Sequence, residues 1–591
     1  MADQPTQPIS YPPGYQPDRN LGDSSGPIPL RHDLTPDRSS AAFNATYAKQ
    51  SYAGPRPTVL LVLDGWGIGP NNAGNAIGRA RTPQLDKLWL SYPHTQLAAS
   101  GEAVGLPRGE AGNTETGHLN IGAGSIVYQD LPRINMAIAD GSFASNAAFS
   151  RAIDHVRRYQ SQLHIMGLIG SGGVHSNIEH LFALLNLCRQ QGLQRVFVHG
   201  FTDGRDSPPT AGITYVQQLQ EKCSSLGIGR IASLMGRFYA MDRDKRWERI
   251  EQAYHTLTLG SQRRHTNVVQ AIREQYDQKI TDEFIEPVSI LDEAGQPVTI
   301  ADNDAAIFFN FRVDRPRELT KAFVLPTFEQ GISQEGFDPY NIKYQHTHIQ
   351  QPATQTTFQR RKKVRNLYFV TMTEYEEGLP VDVAFPPQYV RHPLGKVLAT
   401  HGLRQLRMAE TEKQRFVTFY LNGQQDDIFP GEDRIILPSK GARSYDQVPE
   451  MSAREIGAEM IKNIRQQSHD VIIANLANAD MVGHTGNLEA TIQACQVIDQ
   501  VVGQIVIEVT AKQGVVLITA DHGNAEEMID ADTGQVSTSH TTNPVPLMII
   551  HHQYAHRTTT LPSGILADVA PTMLKLMGLE QPESMTGRAL L

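Results

Sequence analysis

Cysteine is scarce in this chain: Cys188, Cys223 and Cys495 are the only three among 591 residues. An odd and widely spaced set supplies neither a disulfide framework nor a thiolate metal cluster, and it fits a reducing compartment. The chain is therefore read as cytoplasmic. Long apolar runs are also missing. No uninterrupted stretch approaches the roughly 18 residues of a membrane-spanning helix, so no membrane association is expected. Charge of one sign is modest as well, and a formal net charge of -9 argues against a dedicated nucleic-acid binder. The N-terminus lacks the apolar core of a secretion signal, and Asp3, Asp18, Asp23 and Asp33 are out of place in a transit peptide. Residues 1–55 mix Pro, Ser, Asp, Gln and Gly, which bury too little surface to offset ordering entropy. A flexible leader is expected there.

What is present is ample material for more than one core, with 40% hydrophobic and 19% charged residues. The folded part opens on Thr58-Val59-Leu60-Leu61-Val62-Leu63, a β-branched, apolar run of the kind that forms a strand buried on both faces. Asp64-Gly65-Trp66-Gly67 ends it. Two later runs behave alike: residues 471–476 precede Asp480, and Val515-Val516-Leu517-Ile518-Thr519 leads into Asp521-His522-Gly523. In open parallel α/β sheets the carboxyl ends of strands are where ligands bind. In the middle of the chain the same rhythm carries different chemistry. Residues 163–169 precede His175, 196–199 precede Asp203 to Asp206, 231–234 precede Arg237, and 305–309 precede Arg312 and Arg315. Helical spacing of Leu181, Leu184, Leu185 and Cys188 places a helix between strands, so a second α/β sheet is expected. The segment 337–363 reads as loosely ordered and its basic run Arg360-Arg361-Lys362-Lys363 as a solvated loop, while Val383-Ala384-Phe385-Pro386-Pro387 suits a semi-rigid connector. Near the end, Asp568 is the expected cap of a helix that runs through Met577 and stops at Gly578.

Asp480-x-x-x-His484 puts a carboxylate and an imidazole on one face if helical, or at adjacent corners of a loop; either is compatible with one divalent ion, and the spacing is common by chance. His540 is either a third ligand or a turn histidine. Asp521 and His522 make a stronger signal because they end an apolar strand and are followed by Gly523; the plain alternative is a loop in which Asp521 caps a helix. Thr114, within Gly112-Asn113-Thr114-Glu115-Thr116-Gly117-His118, reads either as a helix cap or as a hydroxyl nucleophile activated by a divalent ion. Arg205, Arg237, Arg243, Arg312 and Arg315 offer forked donors for carboxylate or phosphate, and Asp206 offers a carboxylate for proton transfer.

These motifs, with Gly172-Gly173-Val174-His175-Ser176, residues 241–247 and Ala409-Glu410-Thr411-Glu412-Lys413, resemble those of the cofactor-independent phosphoglycerate mutases of the alkaline phosphatase superfamily. The likeness spans about residues 57–591. It implies an α/β protein of two domains: an alkaline-phosphatase-like α/β/α sandwich at 56–128 and 383–591, split by an inserted α/β phosphotransferase domain at 129–382. By motif match one metal would be held by Asp480, His484 and His540, and the other by Asp64, Thr114, Asp521 and His522. Manganese is the metal implied, with magnesium, cobalt or zinc as alternatives, and no 2,3-bisphosphoglycerate is needed.

The implied activity is that of an isomerase (EC 5.4.2.12) interconverting 3-phosphoglycerate and 2-phosphoglycerate in glycolysis and gluconeogenesis through a phosphothreonine at Thr114. The small-molecule substrate would be held by His175, Arg205, Asp206, Arg237, Arg243, Arg312 and Arg315. Asp206 would act as acid and base, and Lys413 would neutralise charge on the moving phosphoryl group. Retaining glycerate while excluding water implies closure about two interdomain connectors. A monomer is implied. Serine is the family's usual residue where this chain has Thr114, and an aspartate commonly precedes the paired glycines where this chain has Ser171. Another phosphomutase, a metal-dependent phosphatase of the same superfamily, and a catalytically silent phosphoglycerate-binding protein are the competing readings.

Overall fold

β-branched and leucine-rich runs form strands because both faces can be covered by helices, and eighteen such strands organise the described residues. In chain order these are β1 (Thr58–Leu63), β2 (His94–Ala98), β3 (Leu163–Leu168), β4 (Val196–Thr202), β5 (Arg230–Gly236), β6 (Arg263–His265), β7 (Val288–Ile290), β8 (Ala305–Phe308), β9 (Ile332–Ser333), β10 (Thr354–Gln355), β11 (Tyr368–Thr373), β12 (Asp382–Phe385), β13 (Gln405–Glu410), β14 (Glu432–Leu437), β15 (Val471–Leu476), β16 (Val515–Thr519), β17 (Val545–Ile550) and β18 (Gly564–Ile565). The computed structural model describes residues 52–330, 332–333, 354–355, 357–530, 533–555 and 560–591. The expected leader up to residue 51, and residues 337–353 and 356 of the expected loose segment, lie outside the described residues.

One eight-stranded sheet runs β14-β13-β15-β1-β16-β17-β2-β18 and a second runs β12-β11-β8-β3-β4-β5-β7-β6. The chain leaves the first sheet after β2, builds the second, and returns at β13. The mixed α/β architecture with one sheet interrupted by another is thus present. In the first sheet β14, β13, β15, β1 and β16 are parallel, so their carboxyl ends share one edge. Thr58 lies beside both Val471 and Val515, a register that carries the residues after Leu63, Leu476 and Thr519 to that edge together. In the second sheet the parallel run is β12, β11, β8, β3, β4 and β5.

Every residue of β1 is fully buried. Burying a Val or Leu side chain contributes roughly 1.5–3 kcal/mol, so this strand is a stiff mount for Asp64. Period-two alternation divides the second sheet's contacts: Leu163 and Ile165 join one core while Met166 and Leu168 join another. The helix Leu488–Ala511 is long and apolar enough to cross a membrane, but 72% of its apolar window is buried inside the protein. Cys495, Ile498, Val502, Ile505 and Val509 recur on its core-facing stripe, which marks it as a core helix.

Three expectations change. Asp382–Phe385 is strand β12, paired with β11, so the expected connector at 383–387 is strand for its first three residues and the second sheet extends past 382. The cause is pairing: Val383 sits opposite Thr371 and Phe385 opposite Thr373. Nor is the basic run simply solvated. Arg360 is buried, bonds both carboxylate oxygens of Glu329 and lies over Phe328, and Lys362 donates to the carbonyls of Thr258 and Ile300. The helix Val569–Met577 stops at Gly578 as expected, but Asp568 caps the preceding turn, accepting from the amides of Ile565 and Arg588.

Candidate active site

Four strand ends of the first sheet converge on one buried cluster. Asp64 follows β1, Lys413 closes the short turn after β13, Asp480 lies in the helix Asn478–Gly483 after β15, and Asp521 and His522 follow β16. Backbone bonds tie these ends together: Asp480 N donates to Asp64 O at 3.0 Å, and Asn524 N and Ala525 N both donate to Gly65 O at 3.1 Å. Gly65 has φ +74°, and a Cβ there would lie 2.7 Å from the Asp480 Cα, so only glycine permits this approach. Thr114 enters from the helix Thr114–Ala123. Its N-cap is Asn113, whose side chain accepts from Thr116 N, leaving the Thr114 hydroxyl free of the capping role. Gly117 lets that helix approach, since a Cβ there would meet Asp521 O at 2.5 Å.

The donor atoms meet. His484 Nε2 and His540 Nε2 are 3.0 Å apart, and they lie 3.1 and 3.3 Å from Asp480 Oδ1. Thr114 Oγ1 is 3.0 Å from His522 Nε2 and 3.4 Å from Asp64 Oδ1, while His522 Nε2 is 3.5 Å from Asp64 Oδ1 and 3.6 Å from Asp521 Oδ2. Each imidazole places its Nδ1 on a backbone carbonyl: His484 on Thr538, His540 on Gly112 and His522 on Gly523. Donation from Nδ1 leaves the Nε2 lone pair aimed into the cluster, the orientation metal-ligating histidines need. Two such lone pairs 3.0 Å apart repel unless a proton or a metal cation lies between them. Asp521 Oδ2 is buried without a hydrogen bond among the described residues, although His118 Nδ1 stands 3.2 Å away. The donor set therefore fits divalent ions, with Asp480, His484 and His540 forming one group.

Electrostatics point the same way. Lys413 Nζ bridges Asp64 Oδ1 at 2.7 Å, Asp480 Oδ2 at 2.6 Å and Thr114 Oγ1 at 3.1 Å. Burial favours the neutral amine, but Asp480, Asp64 and Asp521 overcome it and raise the Lys413 pKa. Burial likewise opposes charge on His522, yet Asp521 and Asp64 hold its pKa up at about 10. Asp480 is held well below the carboxylate range, against its burial, by Lys413 and the neighbouring histidines. The pocket has a surplus of anionic ligands that attracts cations.

The second sheet's edge is built differently. Arg237 is buried, and its Nη1 bonds Asp203 Oδ1 and Asp206 Oδ2. His175 lies 3.7 Å from Asp206 and 3.8 Å from Asp314, and burial followed by the Arg237 charge pushes it down to about 4. Arg243 and Arg312 flank Asp314 at 2.8 and 3.3 Å. Arg315 donates to Met241 O, and burial, with Arg237 and Arg243 nearby, lowers it to about 10. Arg205 stands apart, half-exposed and 3.6 Å from Glu283.

All seven expected metal ligands and Lys413 thus meet at one edge, and six of the seven expected substrate residues form a linked cluster at the other. Sequence reasoning passed over His118, Asn475, Asn524, Asp203 and Asp314. Asn475 Nδ2 donates to Asp64 Oδ2 at 2.6 Å, and Asn524 Nδ2 donates to Asp480 Oδ1 at 3.2 Å. The available signal for His118 was its place four residues after Thr114 on one helix face.

A family model described as the BPG-independent PGAM N-terminus matches residues 134–377. The chain is 49% identical over 541 residues to the 2,3-bisphosphoglycerate-independent phosphoglycerate mutase of Chloroflexus aggregans, covering 91% of this chain and 99% of that one. It is 46% identical over 536 residues to the enzyme of the same name from Moorella thermoacetica, covering 91% and 98%. Among solved structures, phosphoglycerate mutase from Leishmania mexicana, crystallised at low cobalt concentration, aligns with a TM-score of 0.54 and 29% identity over 91% of this chain and 98% of that one. Identity of 45–49% carried along 91% of the sequence shows that this chain belongs to the family of 2,3-bisphosphoglycerate-independent phosphoglycerate mutases.

Proposed function

We propose that this enzyme interconverts 3-phosphoglycerate and 2-phosphoglycerate by parking the phosphoryl group on Thr114. The observation that carries the reading is the setting of the Thr114 hydroxyl, at the first turn of a helix and within 3.4 Å of Asp64, His522 and the Lys413 ammonium. Asp480, His484 and His540 would hold one divalent ion and Asp64, Thr114, Asp521 and His522 a second. When bound, these ions supply Lewis-acid polarisation and favour the deprotonated hydroxyl. Thr114 Oγ1 forms the new bond to phosphorus as the bond to the departing glycerate oxygen breaks. Lys413 and the helix N-terminus offset the charge on the phosphoryl oxygens.

Glycerate is held meanwhile by the arginine cluster. Burial alone would raise the Asp206 pKa, but Arg237, then His175 and Arg205, keep it below the ordinary value, so it starts as a base. It takes the proton from the accepting hydroxyl and returns one to the oxygen that departed, so no proton is gained or lost overall. The reading takes 56–128 and 383–591 as one split domain around the insert 129–382, with the insert's edge moved to Phe385 by β12. Closure of the two parts would exclude water from the phosphoenzyme. Arg133 Nη1 donates to Pro386 O at 2.7 Å and lies over Phe385, linking the segments where the chain enters and leaves the insert and marking a pivot. The reading extends to a cytoplasmic monomer using manganese, supported for the compartment by three buried, unpaired cysteines.

Incubation with 3-phosphoglycerate and manganese, coupled to enolase, should report 2-phosphoglycerate without added bisphosphoglycerate. Mass spectrometry of enzyme quenched in turnover should find phosphate on Thr114. Release of inorganic phosphate in place of 2-phosphoglycerate would turn the assignment to a phosphatase.

A further inference from the structure

Asp314 sits where three functional side chains meet. Its Oδ2 accepts from Arg243 Nη1 at 2.8 Å, and its Oδ1 lies 3.3 Å from Arg312 Nε and 3.8 Å from His175 Nδ1. The carboxylate side chain is only 12% exposed, whereas those of Arg243 and Arg312 are 43% and 41% exposed. The arginines thus keep donors for a ligand while one end of each is tied down. Long guanidinium side chains lose much rotamer freedom when they bind, and a partner that orders them beforehand removes part of that cost.

His175 supplies the second observation. Its Nδ1 and Asp314 Oδ1 are both buried and both without a hydrogen bond among the described residues, and they face each other. A sub-ångström approach makes them partners. The frame that holds them is rigid, because Phe311 N and Arg312 N both donate to His175 O, at 2.9 and 3.3 Å. With Nδ1 protonated toward Asp314, the Nε2 lone pair faces the region of Asp206, whose Oδ2 is 3.7 Å away. The charged groups acting on His175 are Arg237, Asp314, Arg312 and Asp206.

We propose that Asp314 is a positioning residue: it sets Arg243 and Arg312 for an anionic ligand and fixes His175 as the Nδ1-protonated tautomer, with Nε2 open to a substrate hydroxyl. This rests on the phosphoglycerate reading for the identity of the ligand. The geometry of the three contacts does not depend on it.

The test pairs kinetics on the full-length, manganese-loaded enzyme with spectroscopy on the same enzyme loaded with diamagnetic magnesium or zinc. In Asp314→Asn, KM for 3-phosphoglycerate should rise roughly tenfold, the scale of losing one charge-assisted hydrogen bond, with a smaller change in kcat. Asp314→Glu should recover part of that loss. In an Arg243→Ala background the same substitution should add much less, as expected when two residues act through one contact. Histidine 15N NMR at neutral pH, with His175 assigned by loss of its signals in His175→Gln, should show the Nδ1–H tautomer in the parent and a mixture in Asp314→Asn. A folded Asp314→Asn with parental KM and an unchanged His175 spectrum would overturn the proposal. Should Asp314→Asn not fold, Asp314→Ser takes its place on the same two readouts. Absence of 2-phosphoglycerate from the parent enzyme would instead defeat the functional reading, and the NMR would still decide the tautomer.

Discussion

The two strand edges carry charge in opposite ways. At the first sheet Asp64, Asp521 and His522 are completely buried, and every charge leans on another. At the second, Arg205, Arg243 and Arg312 have side chains 51%, 43% and 41% exposed, Arg315 is half-buried and Arg237 is buried. A buried charge must be compensated inside its cluster, so one removal disturbs all its neighbours. A half-exposed charge is screened by water, so its removal costs the fold little. The first edge is built to hold reactive groups at fixed distances, the second to receive and release an anion.

The sharpest way to break this contrast is at Thr114. Thr114→Ala should lose turnover by about a thousandfold or more while Thr114→Ser stays active, measured by the enolase-coupled rate. A Thr114→Ala enzyme with ordinary turnover would show that the buried edge does not do the chemistry. Chelation comes next. Removing divalent ions should abolish activity and lower the thermal midpoint, since a ligand at a thousand times its Kd stabilises by about 4 kcal/mol, and manganese should restore both. Unaltered melting after complete demetallation would mean that Lys413 and the histidines already neutralise the acids.

Within the arginine edge the contrast can be sharpened by two substitutions. Arg237→Ala leaves the carboxylates of Asp203 and Asp206 unpaired and should destabilise by about 3–5 kcal/mol in denaturant melts. Arg243→Ala should raise KM about tenfold yet change stability by less than about 1 kcal/mol. Equal effects on stability would erase the distinction between the buried and exposed arginines.

The smallest effect concerns Glu318 behind this edge, which accepts from Lys245 N and whose Oε2 is buried without a partner among the described residues. Burial, with Asp242 and Asp244, raises its pKa from 4.5 to about 8. The folded state therefore binds this proton more tightly than the unfolded chain. The stability it confers is complete below pH 4.5 and is lost as pH rises through about 8. Glu318→Gln should escape that loss, exceeding the parent increasingly as pH rises toward 8 and converging with it toward pH 4.5. Parallel melting profiles of the two proteins across that range would show that Glu318 ionises freely.

Much of the fold was legible because the signals are local. The runs that became β1, β15 and β16 are apolar over five or six residues, and ligand-type residues stand just past each one. His484 was legible for the same reason, four residues after Asp480 in a helical turn. The misses are residues whose roles come from distant partners. His164 interrupts an apolar strand, and nothing nearby explains it. In the fold its Nε2 faces Asp304, 140 residues on, and its Nδ1 meets His199, which in turn meets Ser233, forming a buried polar chain across the sheet. Arg360 looked like part of a free basic run because Glu329 lies 31 residues earlier, beyond any local pattern.

By itself the sequence located β1, β3, β4, β5, β8, β15 and β16, the residue types that stand at their ends and the long insertion that divides the ligand set, since side-chain alternation and ligand chemistry are local properties. Only the tertiary structure decided that Asp64 and Asp480 share one Lys413, that Asp314 binds Arg243, and that Asn113 and not Thr114 caps its helix. The first two outcomes depend on register and burial, which set distances of a few ångströms between residues far apart in the chain, and the third on the extended backbone at Asn113.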